Sequence, residues 1–322
     1  MTILRATAAR LAIFIVSLLV ASVVIFAVCA LLPGDIAQVM LGTNASPGEV
    51  AELRRQLGLD RPAPVRYLGW LTGMLHGDFG VSFLTGQPVA GEIAARLPVT
   101  LWLVILGMLL AVLVAVPVGM VAAIRNHRIA GFVASGVSQV GLAVPAFWAG
   151  ILLVLVFAVT LRWLPANGYV RLVTSPRQWA AHLVLPVVSL AIVQSAVLVR
   201  YIRSAFLEVL SEDYLRTARA VGWSRTGALL RHGLRNAALS VVTVLGLQLS
   251  TLLVGAIVIE SVFTLPGLGS LLLSAVAQRD LILVQGTVMV LVLAVLVINF
   301  AVECSYLVID PRLRVPVAGA SR

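Results

Sequence analysis

The polar residues dense enough to do chemistry stand in one run, Glu212-Asp213-Tyr214-Leu215-Arg216-Thr217-Ala218-Arg219-Ala220-Val221-Gly222-Trp223, between two apolar stretches of spanning length. The chemistry on offer is electrostatic and mechanical, because such an Arg-rich island must sit in water or at a lipid surface. Ser211 can cap a helix whose positive end suits Glu212 and Asp213, and Gly222 can end it in a left-handed turn. Tyr214, Ala218 and Val221 recur at helical spacing and give that helix one apolar stripe. Ser224 can cap a second helix running through Leu229, Leu230 and Leu234 into the next apolar stretch. A helix–Gly–helix knob of this kind could pass force from a soluble partner to a membrane.

No set of residues reads as catalytic. His76, His127, His182 and His232 fall at separate membrane levels or on opposite sides. Ser189 and Ser195, inside apolar helices, suit bonds to backbone or to neighbouring helices rather than nucleophilic attack. Gly267-Leu268-Gly269 lacks the strand and helix that a phosphate-cradling loop requires. Cys29 and Cys304 fall on opposite faces, too far apart for a disulfide. The expectation is no catalytic residue, no metal site, and no cofactor in this chain.

The elements that must position the knob are transmembrane. The chain has 322 residues, 61% hydrophobic and 11% charged, with mean hydropathy +1.07, which excludes a soluble domain. Charge-free runs at Leu11–Gly34, Leu97–Ile124, Ile129–Leu161, Gln178–Val199, Asn236–Ile259 and Leu281–Val302 predict an all-α protein with six transmembrane helices. Pro145 should kink the third. A seventh run, Ser261–Gln278, is broken by Thr264-Leu265-Pro266-Gly267-Leu268-Gly269, and reads as a loop plus a short half-helix at one membrane face.

Charge sets the orientation. Arg5, Arg10, Arg125, Arg128, the seven Arg from Arg200 to Arg235, and Arg312, Arg314 and Arg322 fall on one side, with only Glu208, Glu212, Asp213 and Asp310 against them. Six spans and this bias place both termini in the cytoplasm. The pI near 11.1 follows from these short loops and does not indicate nucleic acid. Every basic residue is Arg.

The segment between the first two spans is too long for a connector. Ser46 can cap a helix with Pro47 at its first position and Glu49 at its third, closed by Gly58. Val65, Leu68, Leu71 and Leu75 form a second apolar stripe, with Tyr67 and Trp70 as interfacial anchors. A third short helix fits Val89–Arg96. The expected organisation is therefore 1–32 as an N-terminal span, 33–98 as an extracytoplasmic loop with short helices, 99–310 as a five-helix core, and 311–322 as a cytoplasmic tail. The core would include a cytoplasmic loop at 204–236 and a re-entrant segment at 261–280.

On pattern alone a channel or transporter subunit competes with an intramembrane enzyme and an ion-coupled transporter. The last two lack the intramembrane ionisable groups they would need. The knob could equally be a lipid-bound juxtamembrane helix.

The order of motifs narrows this. Asp213-Tyr214-Leu215-Arg216-Thr217-Ala218-Arg219-Ala220-x-Gly222, followed by Leu230-Arg231-His232-x-Leu234-Arg235-Asn236-Ala237, resembles the cytoplasmic coupling loop of ABC-importer permeases of the dipeptide, oligopeptide and nickel family. Pro33-Gly34-Asp35, Leu57-Gly58-Leu59-Asp60-x-Pro62, Gly77-Asp78-x-Gly80-x-Ser82, Leu97-Pro98-x-Thr100, Glu260-Ser261-Val262-Phe263-x-x-Pro266-Gly267-x-Gly269 and Asp310-Pro311-Arg312 extend the resemblance over essentially the whole chain. The long segment after the first helix is similar to the first of the two permeases in such systems. Arg216-Thr217-Ala218 and Leu234-Arg235 depart from the wider superfamily's Glu-Ala-Ala and Leu-Pro.

The resemblance implies a type I ABC importer permease fold in a bacterial cytoplasmic (inner) membrane. It also implies a homologous second permease, two cytoplasmic ATPase subunits that hold the ATP and Mg, and an extracytoplasmic substrate-binding protein. Tyr214, Leu215, Arg216, Thr217, Ala218, Arg219, Ala220, Gly222, Trp223 and Ser224 would then be the ATPase-coupling residues. A weakly binding pathway is expected along the fifth helix, where Gly246, Gln248, Ser250, Thr251 and Gly255 break the apolar pattern, with close helix packing as the alternative. Glu260 could gate the pathway or cap the half-helix near Phe263. Dipeptides or oligopeptides are the expected cargo, with nickel chelates, haem or glutathione-like compounds as alternatives.

Overall fold

The computed structural model describes residues 2–31, 41, 45–56, 58–126 and 129–309. Pro33-Gly34-Asp35, Leu57, His127, Asp310-Pro311-Arg312 and the 311–322 tail lie outside them. Among the described residues the regular elements are helices: α1 Thr2–Leu31, α2 Pro47–Gln56, α3 Ala63–Leu75, α4 Val89–Ile124, α5 Ile129–Ala143, α6 Ala146–Leu153, a π-helical segment Val154–Thr160, α7 Pro176–Ser211, α8 Asp213–Ala220, α9 Arg225–Ala228, a second π-helical segment Leu229–Gly233, α10 Leu234–Val262, α11 Leu268–Ala277 and α12 Leu281–Ile309. Five are long and apolar enough to cross a membrane, within α1, α4, α7, α10 and α12. The third apolar run of the sequence is instead broken at Val144-Pro145. Pro145 adopts φ −64°, ψ 142° and starts α6, which passes into the π-helical segment. Its apolar helix, Ala146–Thr160, is shorter than these five, as is Leu268–Ala277.

One expectation is corrected. Val89–Arg96 does not form a separate short helix but is the first part of α4. Val89, Ile93, Thr100, Leu103, Ala111 and Ala115 are all buried, and this i, i+3/i+4 stripe carries the helix straight through Leu97-Pro98.

The chain divides into two compact units. The first comprises Leu101–Leu265 with the N-terminal residues to Arg10 and the chain beyond Ile298. Its centre is α7, with Leu183, Leu190, Leu198, Ile202 and Phe206 fully buried. Small residues let the other helices approach it. A Cβ on Gly119 would stand 2.7 Å from the Ile202 side chain and 3.2 Å from the Val199 carbonyl, and one on Gly141 2.7 Å from Ala196 Cβ. Ser138 donates across to the Ala196 carbonyl at 2.6 Å. With lipid tails as apolar as leucine, close packing and such bonds hold the helices together.

The second unit comprises Leu11–Thr100 and Pro266–Val297. Two buried polar contacts fasten it. Thr100 Oγ1 accepts the Leu268 amide at 2.8 Å, satisfying the start of α11. Asp280 is 2% exposed; it accepts the Ser82 hydroxyl and, at 3.2 Å, the Leu283 amide in the first turn of α12. Ser22 on α1 shares a 2.9 Å hydrogen bond with the Tyr67 hydroxyl on α3, beside a Phe26–Tyr67–Trp70 aromatic cluster.

In α2 the capping box forms in full. The Ser46 amide and hydroxyl donate to Glu49 at 2.9 and 2.8 Å, and Ser46 Oγ accepts the Glu49 amide at 3.4 Å. Gly58, at φ +65°, closes the segment as expected. The Ser46 donors hold the Glu49 carboxyl below its ordinary value of 4.5. A depressed carboxylate stabilises the helix fully above the unfolded value, and the contribution fades as pH falls through the folded one. Acidification below about pH 4.5 should therefore fray α2, read as faster amide exchange at Val50–Leu53, and Glu49→Gln should remove the pH dependence.

Candidate coupling site

The knob is built from α8, a turn and α9. α7 runs unbroken through Ser211, so the Ser211 hydroxyl donates back to the Glu208 carbonyl at 2.6 Å instead of capping α8. Glu212 takes the cap position in extended backbone, without a side-chain cap bond. Asp213 opens the first turn, where the dipole favours an acid. It meets Arg216 at 3.4 Å, a pair 71% and 94% exposed and so of little energetic weight. The Thr217 hydroxyl donates to the Asp213 carbonyl.

The turn follows the sequence. Gly222 has φ +102°, and the Trp223 amide reaches back to the Ala218 carbonyl at 3.2 Å. Ser224 then caps α9, accepting the Gly227 amide at 3.1 Å. A Cβ on Gly227 would lie 3.4 Å from the Trp223 ring, and the Arg231 guanidinium stands 5.4 Å from that ring's centroid. Trp223 is thus the clamp that holds the turn against α9.

Leu215 alone of α8 is buried, at 2% exposure. It anchors the knob to its own chain, while Tyr214, Val221 and the Arg216 and Arg219 side chains are exposed and Ala218 is half-buried. Of the Tyr214–Ala218–Val221 stripe none is fully buried; the residue of α8 that the fold buries is Leu215. α9 enters α10 through the π-helical Leu229–Gly233, where a Cβ on Gly233 would stand 2.7 Å from Leu229 and 2.8 Å from Val209. The knob is wedged against the end of α7 on one side and runs into α10 on the other.

The residues expected along the fifth helix divide. Gly246 is buried, and a Cβ there would lie 2.5 Å from Val302. The Ser250 hydroxyl lies 3.3 Å from Asn299 Oδ1. Both belong to the packing of α10 on α12. Gln248 is half-buried, Thr251 is exposed with its hydroxyl donating to the Leu247 carbonyl, and a Cβ on Gly255 would sit 3.6 Å from Leu190. Glu260 and Phe263 are fully buried; the Glu260 carbonyl accepts the Leu265 amide at 2.8 Å, and the Phe263 carbonyl accepts that of Gly168 at 3.2 Å. Ser189 and Ser195 bond to the Leu185 and Ile192 carbonyls of their own helix, as the sequence suggests for intramembrane serines. Among the described residues no cluster of His, Cys, Asp or Glu could hold a metal ion.

Residues 115–315 match the family described as "Binding-protein-dependent transport system inner membrane component", and residues 3–104 match its N-terminal companion. A relative from Brucella abortus (strain 2308), provisionally named a peptide transport system permease protein, is 43% identical over 297 residues, covering 92% of this chain and 95% of its own. The glutathione transport system permease protein GsiC of Salmonella choleraesuis (strain SC-B67) is 42% identical over 305 residues, covering 95% and 97%. Among solved structures, the inward-facing MetNI methionine ABC transporter is similar in fold, with TM-score 0.57 and 17% identity over 68% of this chain and 96% of that one.

Proposed function

This chain belongs to the family of binding-protein-dependent transport system inner membrane components, the multi-pass permeases of ABC importers, and from that premise we propose that it forms half of the translocation pathway for dipeptides, oligopeptides or glutathione-like compounds. The names of the relatives from Brucella and Salmonella support this range of cargo. The observation that carries the mechanism is the knob: Arg216, Arg219 and Val221 exposed on a short helix that Leu215 anchors, between two long apolar helices.

In this reading a homologous permease supplies the other half of the pathway, and ATP is bound with Mg and hydrolysed in two separate cytoplasmic subunits. Closure of those subunits draws the two knobs together, and α7 and α10 convert that movement into opening of the pathway. A binding protein on the far side delivers the cargo over residues 33–98. Deleting the gene should abolish uptake of labelled dipeptide or tripeptide and leave free amino-acid uptake intact; competition by glutathione separates the two cargo classes. Undiminished uptake of both would refute the assignment.

The same reading puts both termini and the knob in the cytoplasm of the inner membrane. Single cysteines at Thr217 and Ser321, in a background lacking Cys29 and Cys304, should resist an impermeant maleimide in intact cells and react after lysis. Labelling of either from outside would overturn the orientation.

A further inference from the structure

Within the second unit a cavity of about 350 Å³ opens between the last turns of α1, helix α3, the Asp78–Phe83 loop and the start of α12. Phe26, Trp70, Phe79 and Phe83 give it an aromatic wall. Three hydrogen-bond donors also line it: the Arg61 and Arg66 guanidiniums and the Gln285 amide. Among the described residues no carboxylate forms an ion pair with Arg61 or Arg66. Arg66 lies over the Phe26 ring, 5.9 Å from its centroid, and Gln285 Nε2 is buried without a hydrogen-bond partner. A buried donor left unpaired costs free energy that a bound acceptor recovers. The cavity is therefore furnished for an anion.

We propose that this cavity binds the phosphodiester headgroup of an anionic membrane lipid, with the glycerol and upper acyl carbons against the aromatic wall. Two observations favour lipid over cargo. The charges of the lining suit an anion better than a zwitterionic peptide: two guanidiniums, Arg61 and Arg66, stand against one carboxylate among the described lining residues, Asp78, whose Oδ1 already takes the Gly80 amide at 2.9 Å. The cavity also adjoins the surface that faces hydrocarbon: α1 is buried over only 6% of its apolar span, and Val24, Val28 and Leu31 are 54%, 52% and 82% exposed. Tyr67 and Trp70 beside it are the aromatic types that settle at headgroup level.

Gly69 offers a test that leaves every charge in place. It lines the cavity on α3, and a Cβ there meets nothing within 4 Å. The full chain, purified in maltoside detergent, would be titrated with phosphatidylglycerol and with phosphatidylcholine and observed by native mass spectrometry. One phosphatidylglycerol should bind in preference to phosphatidylcholine. Arg61→Gln with Arg66→Gln should weaken it on the order of 30-fold, and Gly69→Leu should exclude it, while Arg55→Gln, off the cavity, changes nothing. Equal retention in all variants, or equal binding of the two lipids, would overturn the proposal. Displacement of phosphatidylglycerol by dialanine would reassign the cavity to cargo, and displacement by millimolar inorganic phosphate would reassign it to a free anion. Lipid binding is read without transport, so its failure is distinct from failure of the importer assignment.

Discussion

An Arg219→Glu variant should lose its ATPase subunits on purification and transport at least about tenfold more slowly, with the membrane helices still folded. Reversing an exposed charge at a docking rim replaces attraction with repulsion, and about 1.4 kcal/mol of lost docking is already tenfold. Arg219 is exposed on α8, so its own chain has little to lose. Gly222→Val should act through backbone strain. The glycine sits at φ +102°, and a Cβ added there would meet nothing within 4 Å. The cost is therefore conformational, about 1 kcal/mol or more, and falls on the angle between α8 and α9. Leu215→Ala separates docking from transmission. Its exposed neighbours still present the docking face, so the ATPases should stay bound and hydrolyse ATP without moving cargo. Co-purification, hydrolysis and uptake measured on the three variants distinguish these outcomes. If Arg219→Glu and Gly222→Val keep both ATPases and coupled uptake, and their activity instead tracks anionic lipid content, the knob is a lipid-surface helix.

Asp280→Ala should lower stability by about 3 kcal/mol. The substitution removes the acceptor for the Leu283 amide at the start of α12 and strands the Ser82 hydroxyl in a site only 1% exposed at Ser82. Asp280→Asn keeps one acceptor and offers the Ser82 oxygen a donor, so it should recover most of the loss. Thermal midpoints of the two variants in one detergent check this order. Equal midpoints for alanine and wild type would mean the buried pair contributes no net stability, as some buried charged groups do not.

Where the sequence was most readable, a single residue type had a single physical use. Gly222 is needed for a positive φ, Ser46 and Glu49 for a capping box, Pro145 for a break, and Pro266-Gly267 for the gap before a half-helix; each stands where it was expected. The long apolar runs likewise announced membrane spans. What stayed hidden depends on distant residues meeting. Asp280 and Ser82 are 198 positions apart, and neither neighbourhood signals the other. The apolar stripe Tyr214–Ala218–Val221 was visible, but Leu215, one step round the helix, is what the fold buries. Periodicity identifies a face without saying whether the chain itself or another protein covers it. Gly246 and Ser250 read equally as pathway or packing until Val302 and Asn299 come beside them.

The π-helical turn at Leu229–Gly233 holds one residue more than an α-turn would. In an α-helix each residue advances the azimuth by about 100°, and the wider π-turn absorbs one such residue between α9 and α10 without that rotation. The relation is geometric and independent of side-chain chemistry. Deleting one residue would let the turn tighten to α-helix with the knob close to its present direction, whereas inserting one into the already widened turn would carry the knob about 100° round the α10 axis, with every docking residue intact and aimed in the wrong direction. The chain length between Ser224 and Leu234 is thus itself a specification, lenient toward one residue fewer and strict toward one more.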